Sequence, residues 1–362
     1  MGKMKVLHIA RLKNDLTNGV SVVVPQYIIA QKELADVQLM DINNCHNADY
    51  TVPYNGVKSL EEYLDNNAVN LVIFHEVNNI ENISLYKVLD SRKIPYVIVP
   101  HGEITKEALS QKWLKKKVAY ILLFNRFIKH AKAIHFLSEA EKENSIFADK
   151  GFICPNGIDI PDNKKSFHKD NLNIVYVGRI NCTAKGLDSM IKAIALIKDY
   201  CVENKVTFNL YGMRHSSAYF EQCNAEVMNL INDNGLEGLV NLYDAVFSKD
   251  KISILDNADY FVQTSRFEGM PLGVIEALAY GIPCILTKET AIGELAAQKG
   301  AAYCVEDGHK DVSNIANTIK LAIQGKADLE KMSKCAKEFA KGYDWQSIAK
   351  QTIEQYKKVI GE

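Results

Sequence analysis

One segment, Ala258–Thr287, restricts the fold of this 362-residue chain more than any other. It opens with the apolar run Tyr260–Val262 and closes with a second apolar run, Ile282–Thr287. Between them, a helical pattern starts near Pro271 and stops at Gly281. Proline is tolerated at a helix start because its missing N–H would be unpaired there, and glycine ends a helix by accepting a left-handed turn. The segment therefore predicts a strand, a loop, a helix and a second strand.

The start of this predicted helix offers unpaired backbone N–H groups. The first N–H groups of a helix lack partners within it, and the helix dipole favours negative charge at the same end. A glycine just before the helix lets a ligand approach the backbone closely. We therefore expect a site for an anion such as phosphate along Gly269, Met270, Pro271, Leu272 and Gly273.

Two acidic residues flank this expected anion site. Glu268 lies in the loop and Glu276 in the helix, with seven residues between them. A carboxylate accepts two hydrogen bonds at once, so each suits a pair of adjacent hydroxyls on a sugar or a ribose. The alternative is that both are ordinary surface glutamates on a solvent-exposed helix. Because two acids would repel a bound phosphate, the binding interpretation requires cations nearby.

An arginine and a lysine in the middle of the chain can supply that positive charge. The sequence GRINCTAKGLDSM places Arg179 and Lys185 between a predicted strand and a predicted helix. Arginine can hold a diphosphate through two hydrogen bonds, and lysine adds a point charge. The alternative is a pair of solvated loop residues. We favour the binding role because ligands of parallel α/β sheets bind beyond the carboxyl ends of the strands.

Short apolar runs alternate with helical patterns along the chain, which predicts mostly parallel sheets covered by helices on both faces. In the first half the runs are Met4–Ile9, Val37–Met40, Asn70–Phe74, Pro95–Val99 and Ala133–Leu137. In the second half they are Ile174–Val177, Val206–Tyr211, Leu239–Leu242, Tyr260–Thr264 and Pro283–Leu286. The chain exceeds the roughly 250–300 residues that one core serves efficiently, so the polar segment Pro155–Asn173 is predicted to link two doubly wound α/β domains.

Two strands of the first half are followed by a histidine. His101 follows Pro95–Val99 and precedes a glycine, and His75 follows Asn70–Phe74. A neutral imidazole can donate one hydrogen bond and accept another, which suits a sugar hydroxyl or a reacting phosphate region. On the residues alone, a structural role is the commoner one for a lone histidine, and we keep His75 in that role.

At SRFEGMPLGVIEALAYGIP the chain resembles the large retaining glycosyltransferase family four, whose members have the GT-B fold. The resemblance implies that Glu268 meets hydroxyls of the donor sugar and that Glu276 meets the nucleotide ribose. It also implies that Gly269–Leu272 present backbone to the diphosphate, with Arg179 and Lys185 as its cationic partners.

The resemblance extends to weaker positions elsewhere. His101 is expected to contact the donor sugar. Members of the family have two adjacent glycines after the first strand, where this chain has Asn18 and Gly19, so Gly19 alone is carried over as a donor contact. Gly212 and Val246 are expected to border the nucleotide.

A domain plan also follows from the resemblance. Residues 1–160 are expected to form an acceptor-binding Rossmann-like domain, with a C-terminal helix over 345–362 packed back on it. Residues 161–344 are expected to form the donor-binding Rossmann-like domain. The predicted fold class is therefore α/β, with two doubly wound domains that face a cleft.

These features predict a retaining, metal-independent hexosyl- or glycosyltransferase. It would move a sugar from a UDP- or GDP-sugar to a saccharide or lipid-linked saccharide acceptor, in cell-surface polysaccharide or glycolipid synthesis, with Glu268 and His101 as catalytic residues. Neither cofactor nor metal is expected, because Arg179, Lys185 and the helix start can stabilise the departing diphosphate. A nucleotide-sugar epimerase of GT-B fold and a non-catalytic sugar-nucleotide-binding protein are the alternatives.

The net charge and the first residues of the chain indicate which partners and which cellular location to expect for the protein. The net charge of −1 argues against a nucleic-acid partner, and eight cysteines without a Cys-x-x-Cys pair suit reduced thiols in the cytoplasm. The start MGKMKVLHIA enters a strand without the apolar core of a signal peptide, so we expect a cytoplasmic protein. A basic helical stretch over Lys106–Lys132 is either a sheet-covering helix or, through Lys112–Lys132, a contact with the anionic inner face of the membrane.

Overall fold

The computed structural model describes residues 3–15, 18–106, 124–167, 170–306 and 308–362. The chain separates into two compact units. The first unit comprises Met1–Gly157 together with Asp344–Glu362, and the second comprises Ile158–Tyr343.

The first unit is built on a sheet of seven parallel strands. These are β1 (Lys5–Ala10), β2 (Asp36–Asp41), β3 (Thr51–Val52), β4 (Leu71–His75), β5 (Tyr96–Val99), β6 (Ala133–Phe136) and β7 (Gly151–Ile153). Their spatial order is β3-β2-β1-β4-β5-β6-β7. From β1 the chain adds β2 and β3 on one side of the sheet and then β4 to β7 on the other side. This is the doubly wound arrangement.

Helices pack on both faces of this sheet. They are α1 (Gly19–Gln31), α2 (Val57–Asn66), α3 (Ile80–Arg92), α4 (Asn125–His130), α5 (Glu139–Glu143) and the C-terminal helix Trp345–Ile360. Leu7 of β1 shares one core with side chains of α2, α3 and α4. Side chains alternate between the two faces of a strand, so the neighbouring His8 lies on the other face, where α1 packs against the C-terminal helix.

The second unit contains a sheet of six parallel strands. These are β8 (Leu172–Val177), β9 (Val206–Met213), β10 (Val240–Asp244), β11 (Tyr260–Gln263), β12 (Cys284–Thr287) and β13 (Ala302–Val305). Their order is β10-β9-β8-β11-β12-β13. Two apolar cores, one centred on residues such as Phe208 and Ile191 and the other on Phe261 and Ile275, fill this unit.

The helices of the second unit connect these strands. They are α6 (Cys182–Lys185), α7 (Leu187–Leu196), α8 (Lys198–Glu203), α9 (Ala218–Asp233), α10 (Ser248–Asp256), α11 (Leu272–Ala279), α12 (Gly293–Gln298), α13 (Val312–Gln324) and α14 (Leu329–Ala340). Short 3-10 turns lie at Ala148–Lys150, Lys288–Thr290, Gly308–Lys310, Gly325–Asp328 and Lys341–Tyr343.

Every predicted strand overlaps a strand of the structure, but three strands have no counterpart among the predictions. The missing strands are β3, β7 and β13, each at an edge of its sheet. Edge strands pair on one side only, so a short segment with little apolar patterning suffices to form one. Two predicted strand ends are also wrong by two residues, because β9 continues to Met213 rather than ending at Tyr211 and β10 continues to Asp244 rather than ending at Leu242.

The predicted basic helix over Lys106–Lys132 is described only in part, because residues 107–123 lie outside the described ranges. In the described part, α4 ends at His130 and Lys132 precedes β6. The predicted helix end at Lys132 is therefore wrong. Most of the expected membrane contact, Lys112–Lys132, lies outside the described residues. Among the helices that are described, none is both long and apolar enough to cross a membrane.

Gly157 provides a test of how the C-terminal helix is attached to the first unit. A Cβ added at Gly157 would lie 2.2 Å from Cε3 of Trp345, the first residue of that helix. We predict that Gly157→Ala destabilises the protein by about 1–3 kcal/mol, because the indole must move. Urea unfolding measures the change. Gly342→Ala is the control, since an added Cβ meets nothing within 4 Å there, and equal midpoints for both variants would contradict the prediction.

Candidate functional site

The sheet of the second unit has a topological switch point between β8 and β11. These two strands are neighbours, yet the chain leaves β8 toward β9 on one side and enters β12 from β11 on the other. The connections after the two strands therefore lead to opposite sides of the sheet, and open α/β sheets bind ligands at the carboxyl ends of strands at such a point. The loops after β8 and β11 carry most of the predicted site residues.

The two loops touch through backbone. Gly186 ends α6 with φ at 64°, and a Cβ placed there would lie 2.0 Å from the carbonyl oxygen of Thr264. The Thr264 hydroxyl donates to the Gly186 carbonyl at 3.0 Å. Glycine is therefore required at 186 by both conformation and contact.

Arg266 fastens the same two loops together. Its guanidinium donates to both carboxylate oxygens of Asp188, at 2.8 and 2.7 Å, and to the carbonyls of Cys182 and Thr183, at 2.6 and 3.0 Å. Its backbone N–H donates to the Ala184 carbonyl at 3.0 Å. These bonds hold α6, which carries Lys185, against the loop that carries Glu268.

Glu268 and Lys185 form an ion pair at this switch point. Only 12% of the Glu268 side chain and 17% of the Lys185 side chain are exposed. The same carboxylate oxygen, Oε1, accepts hydrogen bonds from Gln263 Nε2 at 2.9 Å and from Ser265 Oγ at 2.8 Å. The sequence pattern required a cation near Glu268, and the structure places Lys185 there, with Gln263 and Ser265 as partners that the sequence did not indicate.

The start of α11 differs in part from the expected row of free amides. Pro271 precedes the helix as predicted, but the Leu272 N–H donates to the Met270 carbonyl at 3.0 Å. That amide is engaged because Pro271 is the central residue of an inverse γ-turn, with φ at −83° and ψ at 76°. The N–H groups of Gly269, Met270 and Gly273 have no acceptor among the described residues, so three expected donors are free.

Glu276 has a different cationic partner from the one expected. It forms an ion pair with Lys251 of α10, rather than with Arg179 or Lys185. Lys251 gave no signal in the sequence because it stands among other lysines at the start of an ordinary helix. Arg179 is exposed, its backbone carbonyl accepts from the Tyr176 hydroxyl at 2.8 Å, and its side chain makes no ion pair among the described residues.

Gly212 and Val246 lie at the carboxyl ends of β9 and β10. Gly212 is the extra residue of a bulge, because Tyr211 pairs with Tyr243 while Met213 pairs with Asp244. A Cβ at Gly212 would lie 1.7 Å from the Gly178 carbonyl oxygen, so no larger residue fits. Val246 is half-buried in the loop after β10.

The predicted residues of the first unit are at two strand ends. His101 follows β5 in a left-handed conformation, with φ at 49°, which is uncommon for a residue other than glycine. Gly19 starts α1 and has open space around it. The preceding Asn18 caps α1 by accepting from the Ser21 N–H at 3.0 Å, which explains why asparagine stands there.

His75 is not an isolated structural residue. Its Nδ1 lies 3.0 Å from His101 Nε2, and its Nε2 lies 2.9 Å from His8 Nδ1. The next residue, Glu76, also has a left-handed backbone, with φ at 67°. Burial raises the pKa of Glu76 to about 7, and the Glu103 carboxylate adds to this rise. Neither Glu76 nor Glu103 was indicated by the sequence.

No group of three or more histidine, cysteine or acidic side chains suited to a metal ion occurs among the residues described.

The family model for glycosyl transferases group 1 matches residues 159–339, half of the chain. The chain therefore belongs to this family. The matched part contains both ion pairs and the start of α11.

Curated relatives match over shorter shares. A D-inositol 3-phosphate glycosyltransferase of Paenarthrobacter aurescens (strain TC1) is 24% identical over 222 residues, 59% of this chain and 52% of that protein. A GDP-mannose:cellobiosyl-diphosphopolyprenol alpha-mannosyltransferase of Xanthomonas campestris is 25% identical over 138 residues, 38% of this chain and 36% of that protein. The matches span about half or less of the length of these relatives.

Solved structures match over nearly the full chain. Sucrose-phosphate synthase from Thermosynechococcus elongatus has a TM-score of 0.77 at 15% identity and covers 99% of both chains. Anabaena Alr3699/HepE in complex with UDP has a TM-score of 0.75 at 18% identity, over 98% of this chain and 100% of that one. The predicted fold class, two parallel-sheet α/β domains of GT-B type, is confirmed.

Glu76 provides a pH-dependent test. Its pKa is about 7 in the folded protein and near the ordinary 4.5 when unfolded, so its stabilising contribution is full below pH 4.5 and is lost as the pH rises through 7. Glu76→Gln mimics the neutral acid. We predict that its Tm relative to that of the wild-type protein is higher at pH 8 than at pH 5. Glu61→Gln, at an exposed position of α2, should show no such gain. A Tm difference for Glu76→Gln that is equal at both pH values would contradict the assignment.

Proposed function

We propose that this protein is a retaining glycosyltransferase of family four that moves a sugar from a nucleoside diphosphate sugar to a hydroxyl acceptor. The second unit binds the donor and the first unit binds the acceptor. The observation that carries the proposal is the Lys185–Glu268 pair at the switch point of the second sheet, inside the region that matches the family. It combines a cation for phosphate with a carboxylate for sugar hydroxyls.

The donor in this proposal is a UDP- or GDP-sugar. Anabaena HepE, which shares the fold, was solved with UDP and also with UDP-glucose, and one curated relative takes GDP-mannose by name. The acceptor is a saccharide or a lipid-linked saccharide, a class that the diphosphopolyprenol in the name of the Xanthomonas relative supports. A lipid-linked acceptor suits work at the cytoplasmic face of the membrane in surface polysaccharide or glycolipid synthesis.

Donor binding would separate the Lys185–Glu268 pair and leave Glu276 paired with Lys251. The diphosphate takes the Lys185 ammonium, Arg179 and the free amides of Gly269, Met270 and Gly273, while Glu268 accepts from sugar hydroxyls. Glu276 accepts from the ribose hydroxyls and is held in place by Lys251. Gly212 and Val246 border the base. Lys185, Arg179 and the free amides stabilise the negative charge that grows on the departing diphosphate. This stabilisation lowers the barrier of the transfer without a metal.

Retention of configuration follows if the acceptor attacks from the face that the diphosphate leaves. The bond between the anomeric carbon and the phosphate oxygen breaks, and the acceptor oxygen forms the new bond to that carbon. A donor phosphate oxygen takes the acceptor proton, so no protein nucleophile is required. Glu268 and His101 hold the sugar during this exchange, and the open space around Gly19 leaves room for the donor beside α1.

Lys185→Ala and Glu276→Ala test the donor site. Removing one charged contact to the transition state costs about 2–4 kcal/mol, so each variant should lose roughly 30-fold to 1000-fold in kcat/KM. The measurement is release of nucleoside diphosphate from UDP- and GDP-sugars, with circular dichroism to establish that each variant is folded.

Lys192→Ala is the matched control, because Lys192 is exposed on α7 and makes no ion pair among the described residues. It should keep wild-type turnover. Unchanged turnover in a folded Lys185→Ala protein would count against the site. A thermal-shift screen of UDP-, GDP- and ADP-sugars identifies the donor first, since a ligand that binds only the folded state raises Tm.

Incubation with donor alone separates the transferase from an epimerase, which would convert the sugar without an acceptor. Donor binding with neither hydrolysis nor transfer would instead indicate a binding protein. Either result would replace the proposed activity.

A further inference from the structure

A hydrogen-bonded row of histidines crosses three neighbouring strands of the first unit. His8 lies within β1, His75 ends β4 and His101 follows β5. The rings are stacked, with centroids 5.2 Å apart for His8 and His75 and 5.3 Å apart for His75 and His101. Adjacent strands are about 4.8 Å apart in a sheet, so the sheet itself sets the spacing of the row.

All three rings are neutral near pH 7. Burial lowers the pKa of His8 to about 4 and that of His101 to about 3. Burial also lowers the pKa of His75, and the neighbouring His8 and His101 add to the effect. A neutral imidazole has one N–H and one lone pair, so a hydrogen bond at one nitrogen decides what the other nitrogen can do.

The buried end of the row fixes its direction. His8 Nε2 lies 3.0 Å from Gln31 Oε1, and an amide oxygen can only accept. His8 Nε2 therefore carries the proton, and His8 Nδ1 accepts from the N–H of His75 Nε2. By the same rule, His75 Nδ1 accepts from the N–H of His101 Nε2. His101 Nδ1 is left as a lone pair and has no partner among the described residues.

The opposite orientation of the Gln31 amide would reverse every hydrogen bond in the row. The hydrogen bonds of another histidine, His135, argue against that orientation. His135 Nε2 lies 2.7 Å from the Cys154 carbonyl oxygen, so His135 Nδ1 takes the Tyr356 hydroxyl proton at 3.3 Å. Tyr356 then offers only lone pairs to Gln31. The Gln31 side chain lowers the pKa of Tyr356, as an N–H directed toward the hydroxyl oxygen does, while its buried Nε2 makes no hydrogen bond within the described part of the chain. The amide oxygen therefore faces His8.

We propose that His75 and His8 are positioning residues for His101. Through the row they hold the His101 ring with Nε2 protonated and Nδ1 directed away from its neighbours as a hydrogen-bond acceptor. A lone pair repels phosphate oxygens and accepts from hydroxyl groups, so the ligand of His101 is a hydroxyl of the sugar and not the diphosphate. This inference rests on the proposed function, in which His101 contacts the donor sugar.

Nitrogen-15 NMR of the imidazole rings at pH 7 tests the row in the wild-type protein. We expect His8, His75, His101 and His135 each to be protonated at Nε2 and bare at Nδ1. A UDP- or GDP-sugar that binds should shift the Nδ1 resonance of His101, and bare UDP or GDP should leave it unchanged. A proton on Nδ1 of His8, His75 or His101, or a His101 Nδ1 that does not respond to a bound sugar nucleotide, would overturn the proposal.

Variants of His75 supply a second readout. His75→Phe should lower kcat/KM for the sugar nucleotide about tenfold, the effect of roughly one hydrogen bond, while Kd for bare UDP or GDP changes less than about twofold. His75→Gln should recover most of the activity, because its amide can accept from His101 and donate to His8. His130→Phe is the control, since His130 pairs with Asp90 outside the row and should keep wild-type kinetics.

The outcomes separate this inference from the proposed function. A folded His75→Phe protein with wild-type kcat/KM, or a His75→Gln protein no better than His75→Phe, would overturn the positioning role alone. If no UDP- or GDP-sugar binds the wild-type protein, the proposed function fails and the role of His101 fails with it.

Discussion

The candidate site of the second unit depends on one close contact between backbones, that of Gly186 with Thr264. The contact joins the loop after β8 to the loop after β11, which are far apart in sequence but adjacent in the sheet. Lys185 immediately precedes Gly186, and Glu268 follows Thr264 by four residues. The two side chains therefore meet because the backbones that carry them already touch, and Arg266 limits the movement of either loop.

An ion pair as sheltered as Lys185–Glu268 contributes little to stability, since the loss of hydration offsets most of the attraction between the charges. A stability role alone gives no reason for placing it at the open end of a sheet. Glu268 also uses one oxygen for three partners, Lys185, Gln263 and Ser265. Its other oxygen accepts from none of them, which leaves acceptor capacity for a ligand with hydroxyl groups. Under the proposed function, the ligand supplies both the hydroxyls and the phosphate that this pair can bind.

The sequence predicts the fold well because parallel strands are buried on both faces and so appear as continuous apolar runs. The edge strands β3, β7 and β13 are not predicted, because they are not buried on both faces in that way. Within the site, Glu268 and Pro271 stand out because a loop with glycine and proline around an acid is locally unusual. Lys251 does not stand out, and the sequence gives His75 only a structural role, because their partners come from other elements and only the folded chain brings them together.

The strand ends of the two units carry polar groups of different kinds. In the second unit they are charged and paired, as in Lys185–Glu268 and Lys251–Glu276. In the first unit burial favours neutral forms, because it lowers the pKa of His101 and raises the pKa of Glu76 to about 7. Charged groups discriminate strongly for phosphate, whereas neutral donors and acceptors discriminate among hydroxyls by direction. The strand ends of each unit, taken by themselves, therefore suit different chemical groups of a ligand.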